Sequence, residues 1–311
     1  MEIILNPTNK CDFNCEFCSA SNLPNKTMTA KETIKIFNKY KGEITGVILN
    51  GGDPLNMDID WYYKILDYLD KNYTKSVFLS LTSNLSRFYK EPYKLEPILK
   101  HPRVGVITSF QYGNARKDQY SRVYGEEQFR KTVKLFNYII GYSPDFISVI
   151  DEDNERFVLN TVKLAKSLNV HCKLNKAICC GRQSTYYPRY RMYKNYIKII
   201  DSGLMEYEDN CKLLRSYFKG EPTYCPISNK CYKSIHTFNA DGKEYTCSYN
   251  ANEGQEQPRI PYIKQECLGC ENFKLCCSCN RMVREVLDHQ DGENYCKEMK
   301  SIIPELKERM K

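Results

Sequence analysis

The stretch Glu2–Cys18, EIILNPTNKCDFNCEFC, holds the reading on which the rest turns. Residues 2–6 form a short apolar run that reads as a buried strand, and it feeds at once into a polar loop. On that loop Cys11, Cys15 and Cys18 stand in a C-x3-C-x2-C run. Buried small residues on one helix face would explain the spacing only poorly, because Asp12, Asn14 and Glu16 interrupt it and a strand precedes it.

Outward from this loop, strand and helix signals alternate. Strands are predicted at 46–50, 76–82, 104–109, 145–150 and 170–176. Helices are predicted at 29–42, 58–72, 88–100, 125–141, 153–168 and 188–202, with Thr29 and Glu32 as a capping box and Asp58 capping the second helix. Six such βα units imply an α/β fold with parallel strands, because connections of this length carry the chain back to the same sheet edge. Six are too few for a complete eight-fold barrel, and periodicity leaves an open barrel and a doubly wound sheet as candidates. From Leu204 the alternation breaks. Residues 221–296 are rich in Cys, Gly, Pro, Asn and Lys, and 297–311 read as a short amphipathic helix interrupted by Pro304. The domains expected are 1–203, a bridging segment 204–224, a cysteine-rich domain 225–296 and a terminal helix 297–311.

The 311 residues are 41% hydrophobic and 27% charged, a globular balance. No apolar run is long enough to cross a bilayer, and the N-terminus has neither the length nor the basic leader of a signal peptide. A cytoplasmic protein with no membrane partner is expected. The net charge of +8 is spread among interleaved acids and bases, which describes solvated helix faces and gives nucleic acid little support as a partner. Sixteen cysteines are more informative. In a reducing compartment, thiols at short spacings point to metal ligation rather than disulfides. They fall into two regions, since residues 19–171 contain none. Three thiolates on a short loop can hold three irons of a [4Fe–4S] cube and leave the fourth open to an external molecule. Zinc is the alternative and would need a fourth ligand nearby, although no histidine occurs before His101.

With Phe17 directly before Cys18, the C-x3-C-x2-C run resembles the signature of the radical S-adenosylmethionine (SAM) superfamily. The resemblance implies a partial (β/α)6 TIM-like barrel. It also implies a cluster whose open iron chelates S-adenosylmethionine, which one electron cleaves to methionine and a hydrogen-abstracting 5′-deoxyadenosyl radical. Gly51-Gly52-Asp53-Pro54, after the second strand, resembles the family's GGEP motif and would contact the cofactor's amino group, with Asp in place of the longer Glu. An ordinary strand-ending turn is the plain alternative for G-G-D-P. Thr82-Ser83-Asn84 resembles the family's T-N-G stretch, and Ser109 is placed to contact the ribose. All would lie at strand C-termini, where parallel sheets collect ligands.

The second cysteine region contains Cys225, Cys231 and Cys247, then Cys267, Cys270, Cys276 and Cys279, then Cys296. With Gly242 ahead of Cys247 it resembles the SPASM domain, an iron–sulfur domain, except that the gap from Cys276 to Cys279 is one residue short. Cys277 leaves that assignment open by one place. By resemblance to anaerobic sulfatase-maturating enzymes, Cys225, Cys231, Cys247 and Cys279 would hold one auxiliary [4Fe–4S] cluster. Cys267, Cys270, Cys276 and Cys296 would hold another. Zinc knuckles are the alternative. Cys179, Cys180 and Cys277 are candidates to donate a hydrogen atom to a substrate radical, with buried inert thiols as the plain alternative. Tyr186, Tyr187, Tyr190, Tyr193 and Tyr196 read as one face of an amphipathic helix.

The resemblance implies an enzyme that modifies a peptide or protein, as peptide maturases of ribosomally made precursors do, with a flavodoxin or ferredoxin as electron donor. The first strand starts at Glu2, leaving no room for the roughly 80-residue peptide-binding domain of some such enzymes, which weighs against the peptide class unless a separate recognition protein presents the substrate. A small-molecule epimerase or dehydrogenase, for instance of an aminoglycoside, is the alternative substrate class. A non-catalytic metal-binding protein is the alternative of another kind.

Overall fold

Strands β1 (Glu2–Asn6), β2 (Gly46–Leu49), β3 (Phe78–Ser83) and β4 (Val104–Ser109) pair in sequence order and all run parallel, with Ile3 opposite Val47, Val47 opposite Leu79 and Leu79 opposite Val104. They belong to a computed structural model that describes residues 1–225, 227, 234–254, 265–277, 282–283, 286 and 292–311. Strand succession without reversal is the winding of a barrel rather than of a doubly wound sheet. On the other side of β1 lies β7 (Ile235–Asn239), also parallel, with Ile3 opposite His236 and Asn6 opposite Asn239. The short β8 (Glu244–Tyr245) folds back antiparallel on β7. The chain divides into two compact units: residues 1–146, 180–183 and 232–257 form the first, and 147–179, 184–231 and 258–311 the second.

The first unit is built as its sequence pattern demands. Helix α1 (Ala30–Lys39) opens on the expected capping box: Thr29 accepts from Glu32 N–H, and Glu32 accepts from Thr29 N–H at 2.7 Å. Helix α2 (Ile59–Asn72) starts after Asp58, which takes the N-cap position without making a side-chain cap bond. The helix predicted at 88–100 is two: α3 (Ser86–Lys90) and α4 (Pro92–Leu99). Pro92 explains the break, because its ring pushes Glu91 out of helical geometry (φ −132°, ψ 54°) and it then occupies the first helical position itself. Helix α5 (Glu126–Ile140) ends on Gly141 at φ +102°. Ile3, Leu5, Phe37, Leu49, Tyr62, Leu79, Leu81, Phe88 and Phe136 fill one buried core between sheet and helices. Each such side chain contributes about 1.5–3 kcal/mol through its removal from water.

The second unit contains β5 (Phe146–Ile150) from Ile147 onward, α6 (Val158–Leu168) and β6 (Cys172–Lys176), then α7 (Arg189–Asp201) and α8 (Asp209–Phe218). Of the five tyrosines expected on one helix face, Tyr186 and Tyr187 precede α7 because Pro188 caps it; Tyr193 and Tyr196 on α7 are buried, as is Tyr187. Helix α8 falls where the sequence pattern reads only as a break. Its N-cap, Glu208, is fully buried and accepts from Cys211 N–H at 2.6 Å and from Leu174 N–H at 2.9 Å. The last helix, Gly292–Arg309, passes through Pro304 instead of breaking there. Ile302, Ile303 and Leu306 are buried around that point, and their packing outweighs the one hydrogen bond a proline removes. Among the described residues no helix is long and apolar enough to cross a membrane.

Candidate functional site

The site grows from the end of β1. Beyond the strands the chain continues to pair: Asn50 N–H donates to Leu5 O, Gly52 N–H to Thr8 O and Asp53 N–H to Lys10 O, at 2.8–2.9 Å. The loop after β2 is thus laid along the segment leading to Cys11. Two glycines make this approach possible. A Cβ at Gly52 would lie 2.4 Å from Lys10 O, and one at Gly51, whose φ is +107°, would lie 2.6 Å from Thr8 O.

Asp53 then ties this loop to β3. Its carboxylate is 3% exposed and accepts from Ser83 Oγ at 2.9 and 3.0 Å, Asn84 N–H at 2.8 Å and Leu55 N–H at 3.0 Å. Burial pushes its pKa up to about 6, against the pull of those donors. Both oxygens are engaged within the protein, which gives the Asp53 side chain a positioning role. Pro54 starts a single helical turn, and Tyr62 Oη holds its carbonyl at 2.8 Å. Asn84 carries the connection on to the cysteine loop, its Nδ2 donating to Cys11 Sγ at 3.4 Å.

Cys15 is buried, Cys18 half-buried and Cys11 exposed. The protein packed around the Cys11 sulfur, and next the Asp53 carboxylate, push its thiol up to about 12, with Cys15 and Cys18 adding to the rise. Cys18 is raised as well, chiefly by burial and further by Cys15. Cys11 and Cys18 are thus poor free thiolates, and the three cysteines stand together on one loop. They are a good set for a polycationic cluster, since metal coordination deprotonates thiols outright. Among the described residues no three His, Cys, Asp or Glu side chains converge on a single metal ion. A cube, in contrast, takes each thiolate on a different iron.

The loop between β4 and α5 is a part that the sequence pattern does not mark. It runs antiparallel to the cysteine loop: Asn14 N–H donates to Lys117 O at 2.8 Å, Glu16 N–H to Ala115 O at 2.9 Å and Gln119 N–H to Asp12 O at 2.9 Å. Arg116 is buried against the rings of Phe13 (4.8 Å) and Tyr124 (5.3 Å), which touch each other, and its Nη2 donates to Ser109 Oγ at 3.0 Å. Among the described residues, Arg116 Nε and Gln111 Nε2 are buried without a partner. Donors left this way near a strand end fit a bound molecule with acceptor groups. Nothing in the local sequence distinguishes either residue from ordinary loop polarity. Phe17 is half-buried, and Gly51, Gly52, Asp53, Pro54, Ser83, Asn84 and Ser109 all lie at the C-terminal edge of β2 to β4.

A model of the Radical SAM superfamily matches residues 5–165, more than half of the chain. The chain belongs to that superfamily. Over its whole length it shares a fold with a native anaerobic sulfatase-maturating enzyme, anSMEcpe, solved with bound AdoMet. That match has a TM-score of 0.73 and 16% identity, covering 99% of this chain and 97% of that one. It also resembles SuiB of Streptococcus suis bound to the precursor peptide SuiA, with a TM-score of 0.65 and 14% identity over 88% of this chain and 70% of that one. An uncharacterized protein of Methanocaldococcus jannaschii is 37% identical over 75 residues, 23% of this chain and 26% of that protein. The superfamily implies a [4Fe–4S] cluster and AdoMet.

The other predicted residues distribute as follows. In the second unit, the Cys267 thiol is raised by burial, and Cys276, Cys296 and Cys270 add to the rise. Arg189 Nη1 and Tyr193 Oη of α7 both donate to Leu275 O, at 3.0 and 2.7 Å, and fix the turn that presents Cys276. Cys277 is buried with its sulfur 3.7 Å from that of Cys276; this contact lowers the Cys276 thiol and raises that of Cys277. Cys247 caps the helix Ser248–Glu253, and Cys225 is exposed. Cys231 and Cys279 lie outside the described residues. Cys179 is half-buried, with its sulfur 3.6 Å from Ser184 O, and Cys180 is buried, with its sulfur 3.4 Å from Ser19 O.

Proposed function

We propose that this chain is a radical SAM enzyme that modifies a peptide or protein, holding its catalytic cluster on Cys11, Cys15 and Cys18. The observation that carries the reading is the packing of the Gly51–Pro54 loop on the segment leading to Cys11, with Asn84 reaching the Cys11 sulfur. When bound, the cluster and S-adenosylmethionine supply reductive cleavage of the sulfonium and hydrogen-atom abstraction from the substrate. The residues of this chain bind and orient. Gly51 and Gly52 let the ligand and the cysteine loop approach backbone, Asp53 fixes that backbone to β3, and Ser109, Gln111 and Arg116 offer donors to the acceptor groups of S-adenosylmethionine. Phe13, Phe17 and Tyr124 shield the loop from water.

The peptide class is supported by two neighbours of the same fold, SuiB bound to its precursor peptide and anSMEcpe with a bound peptide. We further propose that residues 225–296 form an auxiliary cluster domain of eight cysteines, with the spacing of those cysteines and its likeness to the SPASM pattern in its support. A flavodoxin or ferredoxin would deliver the electron, and a separate recognition protein would present the peptide. Cys179, Cys180 and Cys277 are the thiols within this reading that would return a hydrogen atom. The test is anaerobic reconstitution with iron and sulfide, followed by S-adenosylmethionine and reductant. About twelve irons per chain and release of 5′-deoxyadenosine are expected. The Cys11→Ala, Cys15→Ala and Cys18→Ala variants should lose about four irons and all cleavage. Zinc in the sites with no cleavage would refute the proposal, and turnover of an aminoglycoside but no peptide would move it to the small-molecule class.

A further inference from the structure

Residues 180–183 lie far along the chain from the cysteine loop, yet they belong to the same compact unit as residues 1–146. They form a tight turn, with Cys180 N–H donating to Gln183 O at 3.0 Å and Gln183 N–H to Cys180 O at 3.2 Å. The turn sits directly on the third cysteine. Arg182 N–H donates to Cys18 O at 3.1 Å, Cys180 Sγ lies 3.4 Å from Ser19 O, and the Arg182 guanidinium donates to Asn14 Oδ1. Gly181, at φ +63°, has no room for a side chain: a Cβ would lie 2.5 Å from Cys18 O, 2.6 Å from Ser21 Oγ and 2.9 Å from Ser19 O. One turn therefore grips the cysteine loop on both sides, at Asn14 between the first two cysteines and at Cys18–Ser19 beyond them. Asn252 adds a second tether to Ser19 Oγ at 3.2 Å.

We propose that the turn Cys180–Gln183 is a positioning latch for the cluster, in which Gly181 seats Cys18 for ligation and Arg182 holds a positive charge beside that ligand. The proposal rests on the assignment of Cys11, Cys15 and Cys18 as cluster ligands. A cation near the cluster favours its reduced, more negative state. Arg182 is exposed, so solvent ions screen the effect and keep it modest.

The experiment uses the full chain reconstituted with iron and sulfide. It measures iron content and, by electron paramagnetic resonance at fixed potentials, the reduced fraction of the cluster whose signal changes on adding S-adenosylmethionine. Arg182→Gln should lower the reduced-to-oxidised ratio about threefold at a fixed potential near the midpoint, and Arg182→Lys should restore it. Gly181→Ala should approach the iron loss of Cys18→Ala. An unchanged ratio in Arg182→Gln would overturn the charge role, and full iron in Gly181→Ala would overturn the seating role. Full iron in Cys18→Ala would instead overturn the ligand assignment beneath both.

Discussion

Replacing Asp53 with alanine removes an acceptor that three donors share in a nearly water-free pocket: Ser83 Oγ, Asn84 N–H and Leu55 N–H, all at 2.8–3.0 Å. A buried donor left unsatisfied costs about 1–3 kcal/mol. Three of them, partly relieved by water entering the space left by the carboxylate, put the cost of Asp53→Ala at about 3–5 kcal/mol, the upper end for a single substitution. Asp53→Asn keeps the shape and one oxygen, but turns an amide group toward a donor, at about 1–2 kcal/mol. Ser83→Ala loses one partner of the same carboxylate, so the two substitutions should couple by about 1–2 kcal/mol in a double-mutant cycle. Hydrogen exchange read by mass spectrometry on peptides spanning 78–90 reports the local opening free energy. Protection there should fall by about a hundredfold or more in Asp53→Ala, whereas peptides in the second unit should be unaffected. If Asp53→Ala costs under about 1 kcal/mol and shows no coupling to Ser83→Ala, the carboxylate is not the tie described and its role lies with the ligand instead.

Two further outcomes follow from named groups. Glu208 is fully buried, and burial raises its carboxyl from the ordinary 4.5 to about 7. The folded state therefore binds the proton more tightly than the unfolded one, so stability present below pH 4.5 is lost as pH rises to about 7. The loss is about 3 kcal/mol, and denaturation midpoints at pH 5 and 8 should converge in Glu208→Gln; a wild-type midpoint that rises with pH would contradict the sign. Arg116→Leu removes the cation packed on Phe13 and Tyr124 together with the donor to Ser109. It should weaken S-adenosylmethionine binding about tenfold or more in equilibrium dialysis while leaving the iron content intact; unchanged affinity would exclude the orphaned Nε as a ligand donor.

Much of the site was legible in the linear pattern because its pieces are local. The spacing of Cys11, Cys15 and Cys18, the strand ahead of them, the glycine pair after β2 and the capping box at Thr29 each lie within a few residues. Elements went astray where tertiary packing overrode a local rule. Pro304 stays inside a helix because Ile302, Ile303 and Leu306 are buried, and α8 forms in a stretch of weak periodicity around the buried cap Glu208. Strand β7 escapes notice because a five-residue strand in a cysteine-rich segment has no signal of its own until β1 lies beside it.

By itself, then, the sequence determines an α/β chain with a cysteine loop after its first strand, since strand period, glycine turns and ligand spacing are properties of neighbouring residues. Tertiary structure alone decides that Asp53 faces Ser83 and Asn84, that Arg116 packs on Phe13 and Tyr124, and that Gly181 and Arg182 rest on Cys18. Each of those pairings joins residues from separate segments. Their partners are chosen by the space and the unpaired hydrogen-bonding groups that the folded sheet leaves at its edge, which no short window of sequence contains.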